Sequence, residues 1–103
     1  MRLADILLGT KLIATYIEDG EQAFLESSKT QDAVIRQLEV IGEAAGSISQ
    51  ELRTSHPEVP WKSMRGFASF AKHEYWRLEL RRIWNAAVEC KLIGEAVASI
   101  RVD

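Results

Sequence analysis

One cysteine, two prolines and two histidines are all that this 103-residue chain holds of the residues that staple, break or ligate. A lone thiol, Cys90, closes no intrachain disulfide, and with His56 and His73 as the only imidazoles it assembles no structural zinc site. Neither a metal nor a cofactor is expected. Long apolar runs are missing too. Crossing a bilayer takes roughly 20 unbroken apolar residues, whereas the most apolar stretch, residues 3–17, is interrupted by Asp5, Gly9, Thr10 and Lys11. Asp5 also stands where the basic and apolar parts of a secretory leader would meet, so the expectation is a cytoplasmic protein with no membrane partner. What is present, 47% hydrophobic and 27% charged residues, suits one small core, hence a single domain over residues 1–103.

No segment alternates β-branched and polar residues for long enough to make a strand, so the fold class is all-α. Leu3, Leu7, Thr10, Ile13 or Ala14, and Ile17 recur at helical spacing and predict a first amphipathic helix, which weakens at Glu18-Asp19-Gly20. Residues 21–27 read as a turn or loop. Ser28 with Gln31 matches a capping box, and Val34, Leu38, Ile41, Ala45, Ile48 and Leu52 continue as the apolar line of a second helix. Pro57 and Pro60 end it, and Pro60 suits the first position of a third helix over residues 60–75, with Met64, Phe67, Ala68 and Ala71 as its packing stripe. A fourth helix places Leu80, Ile83, Ala87, Cys90, Gly94 and Val97 on one side. Four helices with short connections predict an up-and-down four-helix bundle. Glycine costs about 1 kcal/mol relative to alanine inside a helix, so Gly42 and Gly46 beside Ala44 and Ala45 imply close approach, either within the monomer or across a helical homodimer.

Charge is unevenly spread. Residues 1–61 carry five basic against ten acidic side chains, whereas Lys62, Arg65, Lys72, Arg77, Arg81 and Arg82 face only Glu74 and Glu79 between positions 62 and 82. Such a stretch meets either phosphates or the acidic part of its own fold. His73 lies beside it, next to Tyr75 and Trp76, and is the natural candidate for proton transfer at neutral pH, with a nearby arginine to stabilise charge on a phosphate under attack by an RNA 2′-hydroxyl. Taken alone, a histidine at a helix end is more often a capping or packed residue, and His56 reads as a solvated loop residue.

The segments Lys29-Thr-Gln-Asp-Ala-Val-Ile-Arg36, Leu38-Glu-Val-Ile-Gly-Glu-Ala-Ala45, Pro60-Trp61, Met64-Arg-Gly-Phe67 and His73-Glu-Tyr75 together resemble the HepT-like family of the HEPN superfamily. The resemblance implies a homodimeric helical bundle, a metal-independent endoribonuclease acting as the toxin of a toxin–antitoxin pair, and a minimal nucleotidyltransferase as antitoxin. It also implies His73 as a catalytic group and Tyr75 as the acceptor of AMP placed by the partner. Ser69, Lys72, Arg77 and Glu43 are the supporting or RNA-facing candidates.

The family signature is an arginine, four to six residues, a histidine, any residue and a tyrosine. His73 and Tyr75 supply its second half, but the three positions open to the arginine hold Ala68, Phe67 and Gly66. Arg65, with seven residues between it and His73 along one helix, is the remaining candidate, about 12 Å away along the axis at 1.5 Å per residue. Two readings follow: a ribonuclease of weak or lost activity, in which Ala68→Arg restores the spacing and the cleavage, and a catalytically silent HEPN module that docks a nucleotidyltransferase.

Overall fold

Four long helices make the body of the protein, and they are the four that the apolar spacing predicts, with shifted ends. The computed structural model describes residues 2–100, without the side chains of Glu74 and Tyr75. Its elements are α1 (Arg2–Tyr16), α2 (Glu21–Leu25), α3 (Ser28–Gly46), α4 (Gln50–Ser55), α5 (Trp61–Ala71), a 3-10 helix (Glu74–Leu78) and α6 (Leu80–Ala98). No strand occurs among the described residues. Helix α3 lies between α1 and α5, while α6 closes the all-α bundle against α1. No helix among the described residues is long and apolar enough to cross a membrane.

Four boundaries differ from the expectation, each for a local reason. Residues 21–25 are helical, because Phe24 is drawn into the core and Gln31 fastens the segment, its amide donating to the carbonyls of Phe24 (2.9 Å) and Leu25 (3.2 Å). Gln31 is thus a buried strut and not half of a capping box; Ser27 caps α3, its hydroxyl accepting from the Thr30 amide at 3.1 Å. The second helix stops at Gly46 and does not reach Leu52. Ser49 accepts from the Leu52 amide and starts α4 separately, although Ile48 stays buried and keeps the apolar rhythm across the break. Helix α5 begins at Trp61, with Pro60 as its cap, and ends at Ala71.

Close approach is real, and it lies inside the monomer. A Cβ built on Gly42 would meet the Ala68 amide nitrogen, with the Ala68 methyl at 2.7 Å and the Met64 carbonyl at 2.9 Å, so α3 and α5 cross backbone to backbone here. Ala44 and Ala45 are buried as well, so Gly42, Ala44 and Ala45 are used in packing within one chain, whereas Gly46 is exposed with nothing within 4 Å of an added Cβ and marks no close approach. Gly66, exposed on α5, has no atom within 4 Å of such a Cβ. Opposite responses are expected: Gly66→Ala stabilises by about 0.5–1 kcal/mol and raises the melting temperature by a few degrees, whereas Gly42→Ala overpacks the crossing and costs at least about 1–3 kcal/mol. Thermal melts followed by circular dichroism compare them directly.

Cys90 is buried on α6, and burial, reinforced by the charge of Glu89, pushes its thiol up to about 12. A thiolate is the reactive form. The native protein should therefore leave a disulfide reagent unreacted at pH 8 and react promptly once unfolded in guanidinium; rapid native reaction would contradict the burial.

Candidate functional site

After Ala71 the chain leaves the helix and turns inward to bury Trp76 from the 3-10 helix. His73 sits at that bend with extended backbone, φ −98° and ψ 127°. Its N–H donates to the Phe70 carbonyl at 3.2 Å and its carbonyl accepts from the Trp76 N–H at 3.3 Å. The main chain is thus held on both sides while the residue is exposed, as is its neighbour Lys72. A fixed main chain under an accessible imidazole is the arrangement that proton transfer to an external substrate requires. Because α5 stops short of His73, the 12 Å axial separation from Arg65 drawn for a continuous helix does not apply.

The basic stretch divides in two. Its second half is matched to acids of the fold: Arg77 reaches Asp32 of α3 at 3.2 Å and lies 4.5 Å from the Trp76 ring centroid, and Arg81 reaches Glu21 of α2 at 3.0 Å. Arg82 pairs with Glu79 at 3.8 Å and stands over the Phe70 ring at 4.2 Å. These exposed pairs contribute at most about 1 kcal/mol each, yet they orient the segment around His73. Lys62, Arg65 and Lys72 take part in no ion pair among the described residues.

Positions 66 to 68 are not equivalent. Ala68 points its methyl into the α3 seam at Gly42, Phe67 is half-buried against the core, and Gly66 faces open space. An arginine at 68 would enter the seam and not a cleft, which overturns the expectation that Ala68→Arg restores cleavage. Of the three spacings, only the six-residue one, with the arginine at 66, leads to solvent.

Arg65 and Ser69 come together in an open groove of about 670 Å³ between α4 and α5, lined also by Gln50, Arg53, Thr54, Trp61, Lys62 and Gly66. His73 does not line it. Arg53 was not singled out by sequence reasoning, since the segment around it read as a loop, and Lys62 entered only as a member of the basic stretch; i, i+3 and i, i+4 spacing of Lys62, Arg65, Gly66 and Ser69 was the available signal for one face. Glu43 is exposed on α3, and its recorded hydrogen bond is made by its carbonyl, which accepts from the Ser47 hydroxyl at 3.1 Å. The Tyr75 side chain lies outside the described residues. His56 is more than a solvated loop residue: it caps α4, and its carbonyl accepts from the Trp61 indole N–H at 3.0 Å. No cluster of three His, Cys, Asp or Glu side chains able to hold a metal ion occurs among the described residues.

Residues 6–92 match the family described as "Ribonuclease HepT-like". The chain is 36% identical over 88 residues to "Probable ribonuclease HepT" of Thermococcus cleftensis, covering 84% of this chain and 80% of that one. It is 38% identical over 87 residues to "Putative RNase MJ0127" of Methanocaldococcus jannaschii, covering 84% and 72% respectively. With "Putative RNase MJ1380" of the same organism it shares 32% over 102 residues, covering 98% and 88%. No solved structure matches. An all-helical bundle, an exposed histidine at the end of α5 and a family match across most of the chain lead to one assignment: the protein belongs to the HepT-like ribonuclease family.

Proposed function

We propose that the protein is the toxin of a toxin–antitoxin pair, a weak, metal-independent endoribonuclease that acts as a twofold homodimer with His73 at its centre. The observation that carries this reading is His73 itself, exposed on a main chain fixed by hydrogen bonds on both sides. In the reaction, the 2′-hydroxyl of RNA attacks the adjacent phosphorus and the bond from phosphorus to the 5′-oxygen breaks. One His73 takes the 2′-proton, and the second, from the other copy, protonates the departing oxygen. Arg65 of the second copy meets the non-bridging oxygens, and the absence of an arginine at 66 to 68 keeps the activity low. Lys72 and Arg77 add positive charge near the scissile phosphate, Ser69 offers a hydroxyl donor, and Glu43 supports the site from α3.

In the same reading a minimal nucleotidyltransferase is the antitoxin and silences the site by transferring AMP from ATP to the Tyr75 hydroxyl, with pyrophosphate leaving, which adds charge and bulk two residues from His73. The test uses paired substrates: RNA should yield fragments ending in 2′,3′-cyclic phosphate, while the same sequence with 2′-O-methyl groups stays intact. Equal cutting of both would refute attack by the 2′-hydroxyl.

One observation favours a second reading, a catalytically silent HEPN module that docks a nucleotidyltransferase: Ala68 is sealed against α3 and no cation stands at 66 or 67. That reading expects AMP on Tyr75 and no RNA cleavage. Mass spectrometry after incubation with a cognate nucleotidyltransferase and ATP reads the first point, with Tyr75→Phe unlabelled.

A further inference from the structure

Lys62 stands in the first turn of α5, at the end of a helix where the partial charge is already positive and an acid would be stabilising. No acid occupies that turn. Arg65 follows one turn later on the same face, and Arg53, in the last turn of α4, faces them across the groove. Gathering like charges opposes folding, and among the described residues none of the three is in an ion pair with an acid. The rest of the lining has the same character. Gln50, Thr54 and Ser69 bring amide and hydroxyl donors, and no carboxylate lines the groove. Gly66 leaves its rim open.

We propose that this groove between α4 and α5 binds backbone phosphates of single-stranded RNA, with Lys62 and Arg53 holding phosphates that flank the one met by Arg65. Arginine and lysine with serine, threonine and glutamine are the side chains that bind phosphate oxygens without reading bases. The composition speaks against an acidic protein partner, whose docking is anchored by apolar or aromatic side chains entering pockets. The one aromatic residue here, Trp61, is buried and its indole N–H is already given to the His56 carbonyl. The identity of the polyanion rests on the ribonuclease reading; the anion site rests on the groove.

Lys62→Glu separates function from structure, because an acid in the first turn of α5 favours the helix while opposing phosphate. The probe is a short fluorescent 2′-O-methyl oligoribonucleotide, which 2′-hydroxyl attack does not cleave, titrated with the full chain over a range of salt concentrations. Lys62→Glu and Arg53→Ala should each weaken binding about tenfold, and each lost phosphate contact should lower the slope of log affinity against log salt by about 0.7. Lys62→Glu should melt no lower than the parent, and Lys91→Ala, on α6, should change neither affinity nor slope. Unchanged binding by Lys62→Glu and Arg53→Ala would overturn the proposal, as would no oligonucleotide binding by the parent or equally tight binding of polyglutamate. Cleavage of unmodified RNA, followed in parallel, keeps the two readings apart. Cleavage by a parent whose groove variants bind normally sinks the groove alone, and groove-dependent binding without cleavage sinks the ribonuclease reading alone.

Discussion

Ala68→Arg should leave the protein largely unfolded. The Ala68 methyl sits where α3 and α5 cross so closely that a single carbon added to Gly42 would lie 2.7 Å from it. An arginine there must either push the helices apart or bury a guanidinium with no acid facing it. An uncompensated buried charge costs about 3–5 kcal/mol, and overpacking adds about 1–3 kcal/mol. A domain of this size has about 5–15 kcal/mol in total, so in the lower half of that range the two costs together remove most or all of its stability. Loss of the cooperative melt in circular dichroism is the expected result; a melting temperature within a few degrees of the parent would mean that the seam opens easily.

Gly66→Arg is the contrasting variant. Position 66 is exposed, a Cβ there meets nothing within 4 Å, and six residues then separate the arginine from His73. It should fold at least as well as the parent and cleave RNA faster, by about tenfold or more if a positioned cation meets the developing charge. The two arginine variants thus distinguish spacing in sequence from placement in space.

Apolar periodicity made the bundle legible, because α3, α5 and α6 each carry their buried residues on one stripe. It failed where periodicity outlasts the helix. Ile48 keeps the beat of Val34, Leu38 and Ile41 although the chain has already turned at Ser47, so α3 seemed to run on to Leu52 and α4 went unseen. Arg53 was lost with it, and so was half of the basic groove. In α1 the buried face is Ile6, Gly9, Thr10 and Ile13, with Leu3 and Leu7 only half-buried, since a helix apolar almost all round does not say which side faces its neighbours. His73 was legible as a candidate through its neighbours and the family resemblance. The sealing of Ala68 against Gly42 was not, because small residues report that something comes close without saying what.

The second large effect concerns His73. If its imidazole carries the proton in RNA cleavage, His73→Ala should lower the rate by on the order of 10²-fold or more. Its fold should persist, since its recorded hydrogen bonds are made by its backbone N–H and carbonyl, which alanine keeps. The decisive measurement is a side-by-side time course of one single-stranded RNA with the purified chain and with His73→Ala, both in EDTA and both verified by melting temperature. Slow cleavage by the parent, lost in a variant that melts alike, is the result expected of a HepT-like ribonuclease centred on His73. Intact RNA with both proteins, or equal cleavage by both, would contradict it.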